Sequence, residues 1–185
     1  WGNRAWGIFF FLLTLTLFTS ILLLRPFSAS ARPLPGLPAN APGTALVGLF
    51  AIPWLVGGGL LGPIGAAVLG AFAGFLRGAL DTYSIFSILE FALMGAWFSA
   101  NVRQRYRTRT YRLLRQPIVS ALLLIPFHAL FYVIISLFTQ WGADVNAHPT
   151  ARLDFALSNT WIVILSFGCE MLIAGLIAQL VAAIL

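Results

Sequence analysis

Two carboxylates and one imidazole fall inside stretches that are otherwise apolar. They are Glu90 in SILEFALMGAW, His128 in LLLIPFHALFYV and Glu170 in ILSFGCEMLIAG. Ionisable groups at bilayer depth are costly, face the protein interior and mark pairing or function. Counted from the expected outer ends of their helices at 1.5 Å per residue, Glu90 lies about 12 Å deep and His128 and Glu170 about 17 Å. Three separate helices thus carry chargeable groups to similar depth. Three chemistries fit that convergence: each group bonds a neighbouring helix, together they form a ligand or ion site, or they form a proton path in which carboxyl and imidazole share a proton.

The surroundings of Glu90 sharpen the ligand reading. Tyr83, Phe86, Met94 and Trp97 recur with it on one helical face, which suits an organic ligand as well as plain packing. Arg77 stands close in sequence, and Arg77 and Asp81, four apart, can pair on one face. The candidate ligand-binding set is therefore Glu90, Arg77, Tyr83, Trp97, His128 and Glu170. The expected site is a cavity open to the outer side, between Glu90 and a wall of glycines.

Known catalytic patterns are absent from the sequence. There is no HExxH, no GxSxG, no phosphate loop and no CxxC, so neither an enzyme, a cofactor nor a metal is expected. His128 and His148 lack ligand spacing. Cys169, the single cysteine, cannot form a disulfide within the chain and is expected to pack as a small residue.

The glycine wall is read from GGGLLGPIGAAVLGAFAGFLRGALD. In steps of four it runs Gly58, Gly62, Ala66, Gly70, Gly74 and Gly78. Residues four apart share a helical face. In water each interior glycine costs about 1 kcal/mol against alanine; in lipid such small-residue stripes become packing surfaces. A face without side chains serves helix packing or borders a ligand, and the spacing alone allows both. Pro63 breaks the run, so two helices should meet at a tight turn near Gly62.

Composition places these segments. The 185 residues are 60% hydrophobic and 9% charged, with mean hydropathy +0.94, against about 25% charged in soluble domains. An all-α, polytopic membrane bundle of six spans follows, as a single domain over 1–185. The spans are expected at about 5–24, 44–61, 63–80, 83–100, 117–139 and 159–185. Trp6 is expected as an interfacial anchor, Pro53-Trp54 as a kink, and Ser158 or Asn159 as the cap of the last span. A proline-rich loop over 25–43 and a polar loop over 140–157 complete the chain. It begins at Trp1 and ends in an apolar run at Leu185, so it reads as part of a longer protein.

All eleven basic residues are arginine, and six of them lie between Asn101 and Gln116. Such a loop belongs in the cytoplasm, which puts both termini inside and places the protein in the cell's inner membrane. Topology and lipid headgroups, rather than nucleic acid, account for the net charge of +6.

The run VGGGLLGPIGAAVLGAFAGFLRGALDTYSIFSILEFALMGAWF resembles the core of LytS-type five-transmembrane receptor modules. The likeness rests on the Gly-Gly-Leu-Leu-Gly-Pro turn, the glycines at 65, 70 and 74, Arg77, and the Ser-Ile-Leu-Glu segment at 87–90. It covers about 45 residues, and the apparent sixth span departs from the family. The resemblance implies a sensory module that binds an unknown small molecule. It also implies a homodimer formed through a downstream cytoplasmic signalling domain. A weaker likeness is to the substrate-binding subunits of energy-coupling-factor vitamin transporters, although the first span lacks their small-residue docking stripe. A structural subunit of a larger membrane complex is the third class.

Overall fold

The computed structural model of the chain describes residues 2–21, 49–82, 84–105, 108–138 and 148–184. The expected proline loop, Tyr83 and residues 139–147 lie outside them. All regular elements among these residues are helices: α1 Asn3–Ile21, α2 Ile52–Leu60, α3 Pro63–Arg77, continued by a π-helical turn Gly78–Thr82, α4 Phe86–Arg103, α5 Arg109–Leu114, α6 Pro117–Leu122, α7 Leu124–Phe138 and α8 Pro149–Ile184. Among the described residues, three helical stretches are long and apolar enough to cross a membrane: Pro63–Leu80, Pro117–Ile135 and Pro149–Ile184.

The centre of the fold is the hairpin of α3 and α4. Gly62 turns the chain with φ +92°, a conformation that favours glycine, and Pro63 then supplies a preset first helical residue. Past the turn, the ladder residues Gly70 and Gly74 lie directly against the main chain of α4. A Cβ on Gly70 would overlap the carbonyl of Phe91, and one on Gly74 the carbonyl of Ser87. From the other side, a Cβ on Gly95 would come 2.5 Å from the oxygen of Ala66. Small residues on both helices therefore let two backbones touch. Gly58 instead faces the ring of Phe98, and Ser99 Oγ donates to Gly58 O at 2.7 Å.

Around this hairpin the buried positions keep a strict 3-4 spacing. On α4 they are Ser87, Glu90, Phe91, Met94, Gly95, Phe98 and Ser99; on α8 they include Ser166, Phe167, Glu170, Met171, Ala174 and Gly175. Such a stripe buries one face and leaves the other to lipid. The chargeable residues sit within these stripes, so the packing that forms the bundle also carries them inward. α1 contributes Leu12, Thr16, Thr19 and Ser20 to the interior. Its hydroxyls donate to carbonyls four residues back, as in Thr16 Oγ1 to Leu12 O at 2.8 Å, which satisfies them without a partner helix.

Several boundaries differ from the sequence reading. Pro53 stands in the first turn of α2, where its missing N–H costs nothing, so it starts a helix and kinks none. The fifth span breaks at Leu123, where Leu123 N–H closes α6 on Val119 O. Pro126 lacks an N–H and crowds the carbonyl four residues back. Ser158 and Asn159 cap nothing. α8 already begins at Pro149, and Asn159 Nδ2 donates to Phe155 O at 2.8 Å. A side chain that bonds back to its own helix is tolerated in the interior, so 36 residues form one helix about 54 Å long. The polar stretch expected as loop up to 157 is helical from 149 on. Cys169 points out of the bundle, because Ser166, Phe167 and Glu170 occupy the inward side of that turn.

Candidate functional site

Two acid–base pairs lie inside the bundle. Arg77 Nη1 donates to Glu170 Oε2 at 2.6 Å, joining the end of α3 to the middle of α8. His128 Nδ1 and Glu90 Oε1 lie 2.5 Å apart, within hydrogen-bond distance, joining α7 to α4. Glu170 is 0%, Glu90 4% and Arg77 5% exposed. One set of ends of these helices meets near Gly62, Arg103 and Pro117. Measured from there, and from the end of α8 at Ile184 for Glu170, all four groups sit at about 16–23 Å at 1.5 Å per residue. They form one polar layer across the bundle.

Aromatic rings fill the space between the pairs. The Arg77 guanidinium stands 5.1 Å from the ring centre of Phe50 and 5.6 Å from that of Phe91, within the range of cation–π attraction. The His128 ring stacks on Phe167 at 3.9 Å, and Phe91 lies 6.1 Å from His128 and 6.2 Å from Phe167. Trp54 and Phe50 pack edge-on to Phe91. Phe91 therefore touches the surroundings of both pairs. Its position follows from sequence, one residue beyond Glu90 on the same buried stripe, while Phe167 precedes Glu170 by three and shares its face.

Removing a buried charge from water costs several kcal/mol, and a close partner offsets that cost. Breaking one member leaves the other charged and dry. The layer is thus stable as two pairs and costly as four separate groups. Each pair crosses between the α3–α4 hairpin and the α7–α8 half of the bundle, so changing a proton or a partner in the layer alters how the halves are held.

The structure rearranges the sequence-derived set. Glu90, His128 and Glu170 are together in the interior. Arg77 is also there, but its carboxylate partner is Glu170, on the far side of the sequence. The side chain of Asp81, the expected partner of Arg77, lies outside the described residues, as does Tyr83. Trp97 is turned to the outer margin, 37% exposed and stacked on Phe127 at 6.4 Å, so it is no neighbour of Glu90. Phe86 is likewise exposed, while Met94 is buried. A ligand wall at Gly70 and Gly74 is ruled out, because the α4 backbone occupies that face. Phe50, Phe91 and Phe167, which frame the ions, escaped the sequence reading; for Phe91 and Phe167 the available signal was their place on the buried stripes of Glu90 and Glu170.

Arg103 also has a role that its place in an arginine-rich loop conceals. Its Nη1 donates to Gly59 O and Leu60 O at 3.3 Å each, closing the C-terminal carbonyls of α2. Compared with protein-family models, with curated proteins and with solved structures, the chain matches none.

Proposed function

We propose that the chain is the membrane-embedded sensory module of a bacterial signalling protein, multi-pass in the cytoplasmic membrane with both ends inside. The observation that carries this reading is the paired polar layer, Arg77–Glu170 and Glu90–His128, strung between the two halves of the bundle. Buried ion pairs are weak devices for stability alone. They suit a switch, since one proton or one ligand charge changes the balance at a site already desolvated. The stimulus acts at Glu90 and His128, the less enclosed pair. The aromatic contacts of Phe91 and Phe167 couple it to Glu170, and so to α8, whose far end lies beside the arginine-rich segment. The small-residue faces of α3 and α4 are consumed within the chain, which favours a self-contained module over a structural subunit that packs those faces on neighbours.

The test is a distance. Spin labels at Leu113 and Ile184, both exposed, report the inner end of α8 against the arginine segment in lipid nanodiscs. Glu170→Gln and Glu90→Gln should each shift the distance distribution toward a second population. Folded variants with the parent's distribution would refute the switch.

A further inference from the structure

At the arginine end of the bundle, some 20 Å from the polar layer, lies a second feature that does not depend on the sensory reading. A crevice of about 230 Å³ opens between α2, α4, α6 and α8, with Leu55, Leu60, Phe98, Val102 and Val181 on its walls. Among the described residues, Arg103 is the one charged residue that lines it. Organic ligands as a rule occupy sites of about 300–1,000 Å³, so this space suits part of a slender apolar chain better than a whole compact molecule.

The charge around it is one-sided. No Asp or Glu occurs between Glu90 and Asp144, while Arg103, Arg105, Arg107, Arg109, Arg112 and Arg115 all fall there. The described arginines of α5 are exposed. Arg103 spends one nitrogen on the α2 carbonyls, through bonds at the long end of the range. A guanidinium has five N–H donors, and among the described residues the others of Arg103 have no partner. A cation with spare donors thus stands at the mouth of an apolar slot, at the level where α2 and α4 end.

We infer that this crevice holds one acyl chain of an anionic phospholipid, with its phosphate on Arg103 and the neighbouring arginines. Basic pockets between membrane helices select anionic headgroups by this chemistry. A chain in the slot would lie against α2, α4 and α8 together, and so brace the end of α8.

The experiment uses the purified chain in nanodiscs carrying trace spin-labelled phosphatidylglycerol or phosphatidylcholine with identical chains. The immobilised fraction should be larger for phosphatidylglycerol. Arg103→Gln should weaken its retention about fivefold, the effect of one arginine near the surface. Gly59→Leu should displace the chain by filling the crevice, since a Cβ there meets nothing within 4 Å. It keeps the Gly59 carbonyl that Arg103 bonds, so it decides the matter if Arg103→Gln does not fold. Equal immobilisation of both lipids would overturn the proposal. So would retention of phosphatidylglycerol unchanged by Gly59→Leu, or competition by soluble glycerol phosphate as effective as by the lipid, which would show a phosphate site without a chain.

Discussion

Replacing Gly95 with alanine adds a single methyl group at a point where none fits. Its Cβ would lie 2.5 Å from Ala66 O and 3.0 Å from the attached carbon. Ordinary contact begins at 3.4 Å, so the α3–α4 crossing must open by about 0.9 Å. Both offending atoms are backbone and cannot rotate away. A gap of 0.5–1 Å forfeits about a quarter to a half of each dispersion contact, at about 0.1–0.2 kcal/mol per atom pair. Over a helix crossing with some tens of such pairs the loss is about 1–3 kcal/mol, the usual range for overpacking. Against it stands the better helix propensity of alanine, about 1 kcal/mol. Gly70→Ala and Gly74→Ala, whose Cβ atoms would overlap α4 carbonyls, should be at least as costly. Gly59→Ala is the control, because its site is open; it should be neutral or slightly stabilising. The assay is thermal unfolding in detergent, followed by size exclusion. For a chain of this length 1 kcal/mol corresponds to about 2–4 °C. If Gly95→Ala and Gly74→Ala melted with Gly59→Ala, the two backbones would not be in contact, and the central hairpin would be wrong.

Two further outcomes are expected. Cysteines placed at Thr108 and Ala147 in a Cys169→Ser background should react with an impermeant reagent in intact cells only at Ala147; labelling at Thr108 would reverse the orientation. His128→Leu strips Glu90 of its partner and should cost about 1–3 kcal/mol in the same melting assay, whereas Glu90→Gln can still hydrogen-bond His128 and should melt near the parent. Equal losses for the two would mean that the pair is not what holds α7 to α4.

How much of this was legible follows from where each kind of information resides. The turn at Gly62-Pro63 and the close approach along Ala66, Gly70 and Gly74 are local, periodic features, and the sequence spacing carries them directly. The inward placement of Glu90 and Glu170 follows from lipid physics, since a charge cannot stay in hydrocarbon. Which acid meets which base was not legible. Arg77 and Glu170 are 93 residues apart, and the order of helices around the bundle decides their meeting, while periodicity reports only a face. Arg77–Asp81 was the locally attractive pair for the same reason. The start of α8 at Pro149 was obscured by polar residues that look like loop, although polar side chains on an exposed helical turn are no obstacle. Arg103 was read as topology because its group of arginines hides the one that turns back to cap α2.

The account stands most directly on the Arg77–Glu170 link. A double-mutant cycle with Arg77→Met and Glu170→Leu, measured by unfolding in mixed micelles, isolates it. Each single substitution leaves an uncompensated buried charge and should cost about 3–5 kcal/mol. The double variant places two apolar side chains where the ions met and should recover most of that loss. A coupling well above the roughly 0.5 kcal/mol that separates independent sites is the predicted result. Losses that simply add, with no recovery in the double variant, would contradict a paired polar layer holding α8 to the hairpin.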